Sequence, residues 1–171
     1  MSSSRIQLVQ GDITTLDVEA VVTAANSGLM GGGGVDGAIH RVAGPELLQA
    51  CCKLGGCPTG EARMTPGFQL HAKYVIHAVG PIWDGGGYGE AELLRSAYTS
   101  SLALARQHDV RSIAFPCIST GVYGFPKEQA CEIAITAVQN WLTENTLPER
   151  VTFCCFGDDD YAMYERRLNE S

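Results

Sequence analysis

VEAVVTAANSGLMGGGGVDGAIHRVA, residues 18–43, is the stretch on which the fold turns. Residues 18–25 hold a short apolar run that reads as a buried strand. A glycine-rich stretch from Gly28 to Gly34 follows, and Val35 to Ala43 then reads as a short helix with Val35, Ile39 and Val42 on one face. Strand, loop and helix in that order form the repeating unit of an α/β protein. The rest of the chain continues it. Residues 5–10 (RIQLVQ) read as a first strand closed by Gly11-Asp12, and Gly44-Pro45 separates the first helix from a second helical segment over Glu46–Lys53. Residues 74–79 (YVIHAV) read as a strand ended by Gly80-Pro81, and residues 82–89 as a glycine-rich surface loop. Glu90–Gln107 carries a helical period through Leu93, Leu94, Ala97, Tyr98, Leu102 and Ala105. A strand over residues 112–118 precedes the turn Ser119-Thr120-Gly121.

Pro126 suits a first helical position, and Ala130, Ile133, Ala134, Ala137, Val138, Trp141 and Leu142 mark the apolar face behind it. Residues 151–156 (VTFCCF) read as a last buried strand, and Asp158–Leu168 as a closing helix with acids in its first turn. Strands alternating with helices predict a mainly parallel sheet covered on both faces. No internal repeat or linker interrupts the pattern.

The composition is consistent with one such unit. A chain of 171 residues fits a single domain, and 45% hydrophobic with 18% charged residues is ordinary globular composition. Twelve basic against 19 acidic residues leave a net charge of -7, which disfavours a general nucleic-acid binder. An anionic ligand would have to be held locally, by backbone N–H groups and helix N-termini. The seven cysteines are odd in number, lack a CxxC pair and follow no secretory signal, so reduced thiols in a cytoplasmic protein are expected. Cys51, Cys52 and Cys57 cluster, but two adjacent cysteines fit one tetrahedral zinc site poorly, so no metal or other cofactor is expected. No apolar run reaches the roughly 20 residues that span a bilayer.

The four glycines Gly31–Gly34 between strand and helix allow two readings. Such a run is often only a flexible loop. Alternatively, the missing Cβ atoms let backbone N–H groups approach an anion closely, with a helix N-terminus behind them. Neither common phosphate motif fits: no lysine follows the glycines as a P-loop requires, and the first strand leads into Gly11-Asp12-Ile13-Thr14 rather than GxGxxG. A second candidate anion loop, Ser119-Thr120-Gly121-Val122-Tyr123-Gly124, lies after the 112–118 strand. Two small-residue loops at the carboxyl ends of parallel strands stand where such sheets bind ligands, and two loops could grip two phosphates.

These segments resemble the macrodomain family, in its MacroD-type class. The likeness is carried by Gly11-Asp12-Ile13-Thr14, Ala24-Ala25-Asn26-Ser27, residues 31–41 (GGGGVDGAIHR), Ala43-Gly44-Pro45, His77-Ala78-Val79-Gly80-Pro81 and residues 118–124 (ISTGVYG), in the family's order and over nearly the whole chain. Among its members the chain resembles bacterial O-acetyl-ADP-ribose deacetylases. The resemblance implies a three-layer α/β/α fold with a mixed, mainly parallel central sheet that binds ADP-ribose and removes acyl or ADP-ribosyl groups.

Residue by residue, the resemblance implies that Asp12 accepts a hydrogen bond from the adenine amino group, with Ile13 and Phe156 lining the ring. It implies that Gly33, Gly34 and Val35 form one phosphate-side loop. Ser119, Thr120, Gly121, Val122 and Tyr123 would donate to the diphosphate, with Tyr123 packing on the distal ribose. Asn26 and Asp36 match the two residues at the distal ribose. Their chemistry suits that place independently: an amide can both donate to and accept from a ribose hydroxyl. A carboxylate at a helix N-terminus is favoured in its ionised form and could orient or activate a water. From the residues alone, Asp36 also reads as a helix-start acid and Asn26 as a strand-ending turn residue. His40 lies four residues after Asp36 and could share its helix face, although a structural, hydrogen-bonded histidine is the plainer reading. The chain departs from the family at Thr23, where asparagine is common, and loss of the amide is expected to bear on loop order and turnover more than on affinity. The Gln-Glu-Glu signature of poly-ADP-ribose glycohydrolases is absent.

Three functions stay open at this point. The first is a hydrolase using a positioned water, with Asn26 and Asp36 at the distal ribose and the ligand's diphosphate helping as base. It would act on ADP-ribose esters or on ADP-ribosyl groups carried by acidic side chains of proteins. The second is a non-catalytic ADP-ribose reader. The third is a regulator binding RNA or a protein, which the net charge disfavours for RNA.

Overall fold

The computed structural model describes residues 5–170. Six strands, β1 (Ile6–Gln10), β2 (Ala20–Ala24), β3 (Ala62–Pro66), β4 (Tyr74–Ala78), β5 (Ser112–Phe115) and β6 (Arg150–Cys155), form one sheet in the order β1-β6-β5-β2-β4-β3. All neighbours are parallel except β3, which runs antiparallel to β4. The helices are α1 (Gly34–Ala43), α2 (Pro45–Leu54), α3 (Glu90–Gln107), α4 (Lys127–Glu144) and α5 (Asp158–Glu170), and a 3-10 turn spans Ile13–Thr15.

The period of two along each strand sorts the core into two layers. Val22, Ile76, Ile113, Phe115, Phe153 and Cys155 face α3, α4 and α5. Val21, Val75, Ala114 and Cys154 face α1 and α2. Both faces are covered, so the central strands are buried along their length and read as continuous apolar runs. Each fully buried Leu, Ile or Phe side chain contributes about 1.5–3 kcal/mol. Tyr98, Phe115, Phe153 and Tyr164 form an aromatic row through the first layer, with successive ring centroids 5.0, 6.3 and 5.2 Å apart. At its end the Tyr98 hydroxyl lies 3.5 Å from the Pro116 carbonyl and accepts the Ile118 N–H at 3.4 Å, which ties the exit of β5 to the core.

The helices and five of the strands lie where periodicity places them, with three differences. β3 carries no strand signal: only Ala62 and Thr65 of its five residues are buried, and it ends in Pro66, which only an edge strand tolerates. β5 stops at Phe115, three residues short of the expected end, because Pro116 has no N–H to continue the ladder. On α1 the buried face is Asp36, Gly37, Ile39 and Ala43, while Val42 is exposed. That face is rotated by about one residue, and the rotation carries Asp36 inward.

Candidate active site

The strand ends on one edge of the sheet open into a cleft of about 790 Å³, within the roughly 300–1,000 Å³ usual for small-ligand sites. Gly11, Asp12 and Ile13 line it from the exit of β1, Ala24–Asn26 from β2, Gly32–Asp36 from the glycine loop, Pro116–Tyr123 from β5 and Phe156 from β6. The cleft therefore gathers Asp12, Ile13, Asn26, Gly33, Gly34, Val35, Asp36, Ser119, Thr120, Gly121, Val122, Tyr123 and Phe156. Thr23 and His40 stand behind this wall.

Both loops offer unspent donors. Among the described residues, no protein acceptor takes the N–H groups of Gly33, Gly34 or Val35, nor those of Thr120 through Tyr123. The first three belong to the start of α1, where helix geometry leaves N–H groups without partners and a partial positive charge accumulates. The second loop is braced through its carbonyls instead. Trp83 N–H donates to Tyr123 O at 2.8 Å, Phe125 N–H to Ser119 O at 2.9 Å and Gly124 N–H to Gly121 O at 3.0 Å. Such bracing holds carbonyls away and leaves N–H groups for an anion. Ser119 pays for the bend with φ +68°, and its buried Oγ has no partner among the described residues.

Close packing explains which glycines are needed. A Cβ on Gly37 would lie 2.6 Å from the Gly32 carbonyl oxygen, so the glycine loop can lie on α1 only if residue 37 has no side chain. A Cβ on Gly80 would lie 2.2 Å from Ser119 Oγ, which sets the same demand on the second loop.

The polar floor is built from β2 and α1. Thr23, fully buried, donates its hydroxyl to Asp36 Oδ1 at 2.8 Å, and His40 Nε2 stands 3.7 Å from the same oxygen. Asn26 Nδ2 donates to the Gly31 carbonyl at 3.0 Å, closing the mouth of the glycine loop. The space above Gly32 lies 3.7 Å from Asp36 Oδ2 and 3.8 Å from Asn26 Nδ2, so these two side chains converge under one glycine. Burial pushes the Asp36 carboxyl above the ordinary range, and the Thr23 hydroxyl and His40 pull against it without cancelling it. Burial thus works against the preference for the ionised form expected of a helix-start acid. Asp36 is 5% exposed, and desolvation is the largest cause of the rise.

Behind the floor, His77 on β4 lies beside Thr23 in register. Its Nε2 is 2.9 Å from Thr65 Oγ1, and Cys51 Sγ lies 3.7–3.8 Å from both ring nitrogens. Burial, with His40 nearby, lowers the His77 pKa to about 4, so this ring is neutral.

At the far end Asp12 Oδ1 accepts both the hydroxyl and the N–H of Thr14, at 2.7 and 2.9 Å, and these bonds lower its pKa. Phe156 is 80% exposed and Val122 fully so, two bare apolar surfaces on the cleft. Sequence reasoning missed Arg41 and Lys127, which also line it. They share the cleft with Asp12, Asp36 and Asp160, and Lys127 Nζ lies 3.5 Å from Asp160 Oδ1. The signal lay in their positions, one on α1 and one at the start of α4, but only the fold brings them to the same cleft.

Comparison with known proteins agrees with this geometry. Residues 22–134 match the model of the Macro domain family. A macro domain-containing protein of Chlorobaculum tepidum is 58% identical, covering 95% of each chain. An O-acetyl-ADP-ribose deacetylase of Salmonella gallinarum is 55% identical, covering 98% of this chain and 96% of its own. The Oceanobacillus iheyensis macrodomain with ADP superposes with a TM-score of 0.92 at 44% identity, covering 95% of this chain and 89% of that one. A Trypanosoma brucei macrodomain in complex with ADP-ribose gives a TM-score of 0.91 at 46% identity, over 96% of this chain and 69% of that one.

Proposed function

This chain belongs to the macrodomain family, and from that premise we propose that it is an ADP-ribose-binding hydrolase acting as an O-acetyl-ADP-ribose deacetylase. Mono-ADP-ribosyl groups on acidic side chains of proteins present the same ester at the same ribose and are further substrates. Residues 1–171 make up one macrodomain in this reading, working in the cytoplasm; the seven unpaired cysteines support that compartment.

The adenine lies at the β1 and β6 exits, between Asp12 and Ile13 on one side and Phe156 on the other. The diphosphate takes the free N–H groups of Gly33–Val35 and Thr120–Tyr123, with Arg41 and Lys127 adding charge. The distal ribose then reaches Asn26 and Asp36, beside Tyr123. A water held by Asp36 Oδ2 attacks the ester carbonyl carbon and passes its proton to the carboxylate. The tetrahedral intermediate collapses, its ribose oxygen leaves with the proton that Asp36 took up, and the acid and ADP-ribose are released. Burial raises the Asp36 pKa, which makes it a stronger base than a surface aspartate. Asn26 braces the loop through Nδ2 and keeps Oδ1 for a ribose hydroxyl.

The observation that carries this reading is the convergence of Asp36 Oδ2 and Asn26 Nδ2 under Gly32, with Thr23 holding the other carboxylate oxygen. Hydrolysis of O-acetyl-ADP-ribose, followed by chromatography, tests it. Asn26→Ala and Asp36→Ala should each lower the rate by about 100-fold or more. Unchanged rates in both variants would remove these residues from the chemistry. Calorimetric binding of ADP-ribose with no turnover by the wild type would make the protein a reader instead.

A further inference from the structure

Cys117 and Cys155 are a pair that the reaction does not use. Their sulfurs are 3.9 Å apart, and the Cys117 thiol donates to Cys155. The sheet sets this approach: Phe115 of β5 stands in register with Phe153 of β6, and each cysteine lies two residues further on, so both point to the same face. Neighbouring strands are about 4.8 Å apart, inside the roughly 4.4–6.8 Å span that a disulfide bridges. The two thiols differ in access. Cys117 lines the cleft and is half-buried, whereas Cys155 is buried in the core layer under α3, α4 and α5. Cys154, next in sequence, faces the other layer and donates to the Gly11 carbonyl, so it is turned away from Cys117.

We infer that Cys117 is an oxidation site for small hydroperoxides, with Cys155 as its resolving thiol, and that their disulfide weakens ligand binding in the cleft. The effect on binding rests on the reading of the cleft as the ADP-ribose site. In the first step the Cys117 thiol gives up its proton and its sulfur attacks the peroxide: an S–O bond forms, the O–O bond breaks, and the departing alkoxide or hydroxide takes up that proton. In the second step the Cys155 sulfur attacks the sulfenic sulfur. The S–S bond forms, the S–O bond breaks, and hydroxide leaves as water with the Cys155 proton. The two thiols lose two electrons in all and the peroxide gains them. Closing 3.9 Å to an S–S bond of about 2.05 Å draws Cys117 toward β6. Ser119, two residues on, begins the loop whose N–H groups receive the diphosphate, so the movement is transmitted to those donors.

The test treats the reduced protein with hydrogen peroxide, blocks remaining thiols and maps cysteine linkages by tandem mass spectrometry, with ADP-ribose affinity measured by calorimetry before and after. A Cys117–Cys155 link is expected in the wild type and in Cys154→Ala, and no Cys117 link in Cys155→Ala. Oxidation should weaken ADP-ribose binding by about tenfold or more, dithiothreitol should restore it, and saturating ADP-ribose should slow formation of the link. Cys117 remaining a thiol, linking instead to Cys154, or linking to Cys155 with affinity changed by less than about twofold overturns the inference. Failure of the reduced wild type to bind ADP-ribose would sink the ligand assignment instead, since the linkage map is read without any ligand.

Discussion

A single hydroxyl decides how Asp36 is presented. Thr23 has no other polar atom to offer and spends its proton on Asp36 Oδ1, which leaves Oδ2 as the oxygen on the cleft side, near Asn26. Thr23→Val keeps the shape and removes that donor. A hydrogen bond to a charged group is worth about 1.5–3 kcal/mol, and about 1.4 kcal/mol is a factor of ten. Thr23→Val is therefore expected to lower kcat on O-acetyl-ADP-ribose about tenfold or more, with calorimetric ADP-ribose affinity held within about twofold. An equal loss in both would show that Thr23 supports the whole cleft rather than the carboxylate. Expecting Thr23 to bear on turnover thus acquires a mechanism, through a partner that lies 13 residues along the chain and is not apparent from spacing.

At the scale of elements, two loops meet two packing limits. Gly37 is the contact point of α1 with the glycine loop, and Gly80, after β4, is the contact point with Ser119. Gly37→Ala puts a methyl 2.6 Å from the Gly32 carbonyl, a backbone atom that cannot rotate away. The loop must lift, and its donors at Gly33, Gly34 and Val35 lift with it. ADP-ribose affinity is expected to fall about tenfold or more, with a fall in thermal midpoint of several degrees, as overpacking costs about 1–3 kcal/mol. Gly87→Ala is the control, because its Cβ would meet nothing within 4 Å and it does not line the cleft. A Gly37→Ala protein that bound like the wild type would show the loop to be free of the helix. A third loop, residues 84–88, is fixed differently: Glu90 accepts the N–H groups of Asp84, Gly86 and Tyr88 at 2.7–3.0 Å. Burial raises its pKa, those donors lower it more, and it lies at about 2.

Across the whole molecule, acid acts through what the core buries. His77 is neutral at a pKa of about 4 in the folded state, against an ordinary 6.5. Between these values the unfolded chain binds the proton and the folded chain does not, so stability rises with pH and is lost as pH falls below 6.5. The full effect is on the order of 3 kcal/mol, reached near pH 4. Asp36, with its pKa raised, works in the opposite sense. Chemical denaturation at pH 7.5 and 5.0 should show a clear loss for the wild type, and His77→Gln, with no titrating ring, should show less of it. An identical pH dependence in the variant would assign the loss to other groups.

The sequence by itself determined the alternation of strands and helices, because apolar period and glycine or proline punctuation are local properties that survive without neighbours. It also pointed to the two-loop cleft, since a pair of small-residue loops at the carboxyl ends of parallel strands stands where such sheets bind ligands. The resemblance carried by residues 31–41 and 118–124 supplied the ligand class. Tertiary structure alone decided what depends on distant partners. β3 is a strand only because β4 offers it an edge, and the Asp36 pKa is raised only because α1 carries the carboxyl into the buried layer. The same holds for Cys117 and Cys155, 38 residues apart and joined by the register of two parallel strands. Local chemistry is written in the order of residues, whereas burial and long-range pairing exist only once the chain has closed on itself.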